Sequence, residues 1–92
     1  MDLIEAAMQG NIAAVRDALE KGTDINIKSN DSGRTALMHA SFNGHTETVK
    51  LLIEKGAGVH ARTHSGKTAL TLASDKGHME IVRILKPYNG QS

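Results

Sequence analysis

The sequence repeats itself at an interval of 33 residues. When it is shifted by 33 against itself, eleven of the twenty positions in 33–52 are identical to their counterparts. Gly44 matches Gly77, and His45 matches His78. A repeat of this length indicates copies of one small structural unit, which must stack on one another because none can bury its apolar face alone.

A third and more divergent copy lies upstream, at a shift of 34 residues. Leu3 then matches Leu37, and Val15 matches Val49. The change in shift places one extra residue in the loop at 29–32. Three copies are about the minimum for a stacked array, so we expect modest stability.

Each of the two later copies predicts a pair of short helices. Thr35 and Thr68 suit N-caps, because a hydroxyl accepts a hydrogen bond from an unpaired helical N–H. The first helices are expected at about 36–43 and 69–76, followed by glycines that adopt left-handed backbone. The second helices are expected to begin near Thr46 or Met79, with apolar residues at helical spacing.

The first copy predicts helices at about 3–9 and 12–21. Asp2 followed by Glu5 resembles a capping box at the first of these. At the other end of the chain, Pro87 is expected to stop the last helix, because proline cannot continue the hydrogen-bond ladder.

These motifs resemble the ankyrin repeat. They read Gly-x-Thr-x-Leu-x-x-Ala, then Gly-His-x-Glu-x-Val, then Leu-Ile-x-x-Gly-Ala. The resemblance implies a single all-α domain over 1–92, an ankyrin-repeat solenoid of about three stacked helix-turn-helix repeats at about 2–29, 30–63 and 64–92. It also implies hairpin-like loops between repeats, and a concave face lined by the first helix of each pair.

The chain departs from the family pattern at the start of the first helices. Ala36 and Ala69 stand where the family usually has proline, and Met38 and Thr71 stand where it usually has histidine. The family histidine ties the turn to neighbouring backbone, so the resemblance implies looser loops here.

Composition excludes several classes of function. The formal net charge is +1, and cysteine is absent, which removes disulfides, thiolate zinc sites and cysteine nucleophiles. No apolar run approaches the roughly 20 residues that span a bilayer. We therefore expect no nucleic-acid partner, no membrane partner and a cytoplasmic location. The charge is uneven, with six acidic and three basic residues in 1–33.

The histidines do not predict a metal or catalytic site. His45 and His78 recur with the repeat and are interpreted as structural. His60 and His64 are four residues apart, a ligand spacing on a helix, but they fall in a predicted extended loop. No nucleophile-elbow or glycine-rich phosphate motif is present. We expect no enzyme activity, no cofactor and no metal.

Binding is expected at loop and concave-helix positions that the repeat itself does not require. Phe42 is the sharpest candidate, because its counterpart is Asp75 and an exposed aromatic side chain is a frequent interface anchor. The alternative is that Phe42 packs beneath a loop. Arg34 and Lys67 occupy matching loop positions, as charges that either hold a partner carboxylate or are merely solvated. The predicted partner-binding set is Met8, Gln9, Asp31, Ser32, Arg34, Phe42, Asn43, His64, Ser65, Lys67, Asp75 and Lys76.

The leading hypothesis is a non-catalytic module that binds another protein, whose identity the sequence does not give. A second hypothesis is a structural protein that associates weakly with itself, its acidic first repeat meeting its basic last repeat. A third is an engineered ankyrin scaffold.

Overall fold

The computed structural model describes residues 1–89, so residues 90–92 of the third predicted repeat lie outside the described part. The described chain contains six helices: α1 Leu3–Gln9, α2 Ile12–Glu20, α3 Ala36–Phe42, α4 Thr46–Glu54, α5 Ala69–Asp75 and α6 Met79–Asn89. Within each repeat the two helices pack together, and α1, α3 and α5 form an inner layer alongside an outer layer of α2, α4 and α6. The predicted all-α stack is confirmed.

The core is aliphatic and runs along the whole stack. Ala6, Ala40 and Ala73 are fully buried, and their small side chains let the helices pack closely. Leu3 and Leu37 are each 1% exposed. Helices of seven to eleven residues are marginal in water by themselves, so tertiary burial must supply their stability. Burying one leucine side chain contributes about 1.5–3 kcal/mol.

The predicted threonine caps are confirmed. The Thr35 hydroxyl accepts from the Met38 N–H at 3.3 Å, and the Thr68 hydroxyl accepts from the Thr71 N–H at the same distance. The Thr35 N–H in turn donates to the Met38 sulfur at 3.4 Å. The thioether thus takes the acceptor role of the usual capping-box glutamate. The sequence reasoning did not single out Asn11, which caps α2.

The last helix passes through Pro87, so the predicted stop at that residue is wrong. Proline removes one backbone donor and crowds the carbonyl four residues earlier, which disrupts the middle of a helix. Pro87 lies in the final turn of α6, where few helical bonds follow it. The predicted end of the first helix is confirmed, but those of α2, α3 and α5 were one residue too long, because Lys21, Asn43 and Lys76 are C-caps.

Two hairpin-like loops, here called the first finger (28–35) and the second finger (61–68), connect the repeats. The first closes with a hydrogen bond from the Ser29 N–H to the Arg34 carbonyl, at 2.9 Å. The second closes between Thr63 and Lys67 at 2.8 Å, which makes its loop one residue shorter. The extra residue predicted at 29–32 therefore lies in the first finger.

A histidine joins each repeat to the one before it. The Nε2 atom of His45 donates to the Met8 carbonyl at 2.8 Å, and that of His78 donates to the Phe42 carbonyl at 3.0 Å. Each imidazole also lies against a glycine with left-handed backbone. A Cβ atom on Gly44, whose φ is 78°, would be 2.7 Å from the His78 ring.

Gly44→Ala is expected to destabilise the protein more than Gly77→Ala. Both glycines have positive φ, so each substitution loses about 1–2 kcal/mol to backbone strain. A Cβ on Gly77 meets no atom within 4 Å, whereas one on Gly44 displaces His78 and its hydrogen bond, about 1 kcal/mol more. Urea unfolding of the two variants measures the difference. Equal losses of unfolding free energy in the two variants would contradict a packing role for the His78 imidazole.

Candidate functional site

Three rows of side chains cross the inner helices α1, α3 and α5. Each row holds the residues at one position of the three successive repeats. The first row is Glu5, His39 and Leu72, the second is Met8, Phe42 and Asp75, and the third is Gln9, Asn43 and Lys76. The stack brings together residues that are more than thirty positions apart in the chain. The predicted inner-helix residues all lie in the second and third rows.

Phe42 is half-buried and packs against the core, so the expectation of an exposed ring is wrong. The Arg34 guanidinium lies 4.5 Å from the ring centroid, and the Lys76 ammonium lies 5.2 Å from it. Cations are attracted to the negative face of an aromatic ring. The ring therefore positions two basic groups on this surface, a role that a lone phenylalanine in the sequence did not suggest.

The two fingers and α5 enclose a shallow cleft of about 250 Å³. Its lining is Asp31, Ser32, Arg34, Thr63, His64, Ser65, Lys67 and Leu72. Six of the twelve predicted binding residues therefore line one cleft. Thr63 and Leu72 were not predicted, because both are largely buried and a sequence pattern gives no sign of which buried side chains border a cleft.

Hydrogen bonds between the fingers fix the shape of this cleft. The His64 N–H donates to the Ser32 carbonyl at 3.1 Å, and the His64 imidazole lies against Gly33. The Lys28 ammonium donates to the Arg62 carbonyl at 3.0 Å. Because each finger is held to its neighbour, the surface is largely formed before any partner arrives.

The cleft carries charges of both signs. Lys67 pairs with Asp75 at 3.1 Å, but both side chains are 48% exposed, so the pair contributes little to stability. The backbone N–H of Ser32, with further hydrogen bonds, lowers the pKa of Asp31, which stays ionised at neutral pH. The cleft thus offers fixed donors and acceptors rather than a uniformly basic patch.

The remaining predicted residues have different roles. The Asn43 side chain donates to the Met8 carbonyl at 3.1 Å and so helps to join the first two repeats. The Met8 side chain is 44% exposed. Gln9 and Lys76 are also exposed on the inner face. Asn43 therefore contributes to the scaffold, while the other three are free to contact a partner.

His39, on α3, is partly buried and carries a polar atom without a partner among the described residues. Its Nε2 atom is buried and makes no hydrogen bond within the described residues. Burial lowers the pKa of His39, and the nearby Arg34 charge lowers it further. The neutral imidazole is therefore favoured in the folded state.

The stability of the protein should fall as His39 becomes protonated. The folded pKa lies below the ordinary value of 6.5, so the unfolded chain binds the proton more readily. The contribution of the neutral imidazole to stability is complete above pH 6.5. It is lost as the pH falls from 6.5 towards the lower pKa that His39 has in the folded state. His39→Leu, which copies Leu72 in the next repeat, should flatten this part of the melting-temperature profile. An unchanged pH profile in this variant would contradict the assignment.

Phe42→Ala should lower the free energy of unfolding by about 1–3 kcal/mol, less than for a fully buried phenylalanine. Met8→Ala is the matched control, because Met8 holds the equivalent position in the first repeat and is exposed. Thermal denaturation compares the two variants. A fall no larger for Phe42→Ala than for Met8→Ala would mean that the ring does not stabilise the stack.

A family model for ankyrin repeats, in three copies, matches residues 3–92. The chain belongs to the ankyrin-repeat family. The ankyrin match covers all three helix pairs, so the histidine joints, the fingers and the inner rows are features of a single repeated unit.

Several curated proteins contain segments similar to this chain. The chain is 48% identical over 48 residues to the probable E3 ubiquitin-protein ligase XBOS33 of Oryza sativa subsp. japonica, covering 52% of this chain and 9% of the ligase. It is 41% identical over 58 residues to the ankyrin repeat domain-containing protein oryK of Aspergillus oryzae, covering 63% and 9% of the two chains. It is 40% identical over 60 residues to ankyrin repeat and SAM domain-containing protein 6 of Rattus norvegicus, covering 65% and 7%.

The chain spans less than a tenth of the length of each of these relatives. The similarity therefore concerns the ankyrin segment and does not extend to the activity of a whole relative. Across residues 1–89, no helix has the length and apolar character needed to cross a membrane. The same residues contain no group of three or more His, Asp or Glu side chains placed to hold a metal ion.

Proposed function

We propose that this ankyrin-repeat chain binds a partner protein through its two fingers and its inner helices, without catalysing a reaction. Ankyrin repeats are generally protein–protein interaction modules, and this is the coarse function of the family. The observation that carries the finer proposal is the cleft between the fingers, where six residues that the repeat does not require lie together.

The chemistry of this surface favours a partner segment of mixed polarity. Arg34 and Lys76 present cations over the Phe42 ring, and Asp31 adds a carboxylate to the cleft that Arg34 lines. An acidic side chain of the partner fits next to Arg34, whose planar guanidinium holds carboxylates by paired hydrogen bonds. The exposed Met8 side chain at the other end supplies an adaptable apolar contact.

Other partner classes are less compatible with the same surface. Nucleic acid needs a continuous basic face that neutralises phosphates, and here acidic groups alternate with the basic ones. The aromatic side chain of this surface, Phe42, lies beneath two cations and is not free to stack on a base. We propose a cytoplasmic protein partner on this basis, and on the absence of cysteine from the sequence.

Affinity capture from a lysate of the organism of origin tests the proposal. The bait carries Met8→Ser, Arg34→Ala and Lys67→Ala, all at exposed or partly exposed side chains of the inner surface. The control bait carries Arg16→Ala and Lys50→Ala on the outer helices, which likewise removes two positive charges from exposed side chains. A partner captured by the wild type and the control, but lost by the first bait, is the expected result. A partner lost only by the control bait would place the binding surface on the outer layer instead.

A further inference from the structure

The C-terminal end of the stack leaves apolar positions uncovered. Leu70 and Val82 are partly exposed, although the equivalent residues of the first two repeats are 0–1% exposed. Met79 beside them is 55% exposed. Together with Ser74 and Lys86 they line a cleft, here called the C-terminal face. The side chains on this face are those that a following repeat covers elsewhere in the stack.

The backbone at this end also has the glycine and the carbonyl that contact a histidine between repeats, but here no imidazole of the described residues lies against them. His45 and His78 lie against Gly10 and Gly44, but a Cβ on Gly77 would meet no atom within 4 Å. The carbonyl of Asp75 occupies the position at which the Met8 and Phe42 carbonyls accept a histidine hydrogen bond. The C-terminal face therefore presents the glycine and the carbonyl of one more joint.

The opposite end, here called the N-terminal face, is defined by Ala14 and Asp17 on α2. The position of Asp17 is occupied by Leu51 in the second repeat, where the leucine is 4% exposed and lines a cleft with Ile12 and Arg16 of the preceding repeat. Asp17, at this position of the first repeat, is exposed. The side chain at this position thus points towards whatever lies before the first repeat.

We propose that two copies of this chain associate head to tail, the C-terminal face of one packing on the N-terminal face of the next. The choice of a second copy rests on charge complementarity. Lys86 replaces the partly buried Leu19 and Ile53 of the earlier repeats, and Asp17 replaces Leu51. The two faces therefore carry opposite charges at positions that are apolar in the internal junctions, and Asp75, which also lines the C-terminal face, is paired with Lys67.

The internal junction gives the register of this contact. Between the first two repeats, Arg16 lines a cleft with Glu47 and Glu54. Arg83 holds the position of Arg16 in the third repeat, and Glu20 holds the position of Glu54 in the first. One further step of the stack therefore brings Arg83 of one copy to Glu20 and Asp17 of the next.

The first repeat also carries a substitute for the joint histidine. Asn11 stands at the position of His45 and His78, and its side-chain amide has a donor that suits the open Asp75 carbonyl. In the single chain the amide oxygen caps α2 by accepting from the Ala14 N–H at 3.1 Å, and the amide nitrogen donates to the Met1 sulfur at 4.0 Å. Asp17 is paired with Lys21 on its own helix at 2.9 Å, but both side chains are highly exposed and such pairs are easily exchanged.

A head-to-tail contact does not close on itself, so the association continues with concentration and places successive inner surfaces side by side. The partner-binding surface of the fingers stays free in this arrangement, so the two interactions are independent. Salt should weaken the association, because exposed charges at the faces are screened at high ionic strength.

Sedimentation velocity of the purified chain, from micromolar to millimolar concentration at low salt, tests the proposal. The weight-average mass is expected to rise above the 9.8 kDa of the monomer. Asp17→Lys and Arg83→Asp should each keep the protein monomeric, because each places like charges opposite one another at this contact. An equimolar mixture of these two variants should associate again, because the reversed charges then face each other.

Lys55→Asp is the matched control, since it makes the same change of charge at an exposed site of the middle repeat, away from both faces. It should associate as the wild type does, and circular dichroism checks that every variant is folded. A wild type that stays monomeric throughout would overturn the proposal. So would single reversals without effect, or a mixture that stays monomeric. The affinity capture described above is read at dilute concentration, so its outcome does not depend on this one.

Discussion

The structure depends on one contact repeated along the stack, the imidazole of each repeat seated on a glycine of the repeat before it. His45 and His78 each donate to a carbonyl at the end of the preceding inner helix. A glycine is needed at this position for two reasons. Its backbone is left-handed, and a side chain would occupy the space that the imidazole ring fills. This contact fixes the spacing from one repeat to the next, because the ring must make its hydrogen bond and pack flat on the glycine at the same time.

The step between repeats determines the functional surface. It aligns residues from three helices into rows and brings the two fingers close enough for the His64 N–H to reach the Ser32 carbonyl. The fingers then enclose a cleft whose lining comes from two repeats. A surface of this kind is held by the scaffold beneath it, so side chains at the cleft can vary while the stack is retained. This separation between scaffold and surface is why an ankyrin-repeat fold by itself names no partner.

Most of the fold could be predicted from the sequence, because the information is local and is repeated three times. The threonine caps, the turn glycines and the apolar spacing each act within a few residues, and all of them are found where expected. The helix end at Pro87 was wrong because α6 continues through Pro87 to Asn89, although proline cannot donate a helical hydrogen bond at that position. The site was harder to predict. Its residues could be selected as those that the repeat does not need. That Arg34 and Lys76 lie over the Phe42 ring could not be predicted, because it depends on the spacing between repeats, which a single sequence does not contain.

The most direct test of this account is an NMR measurement of the ring nitrogens of His45 and His78. If the imidazoles join the repeats, both rings carry their proton on Nε2, and each N–H shows slow exchange with solvent and a coupling across the hydrogen bond to the Met8 or Phe42 carbonyl. His60, which is exposed on the second repeat, is the internal reference for a free ring. Protons on Nδ1, or rapid exchange at the level of His60, would contradict the claim that these two bonds set the step of the stack.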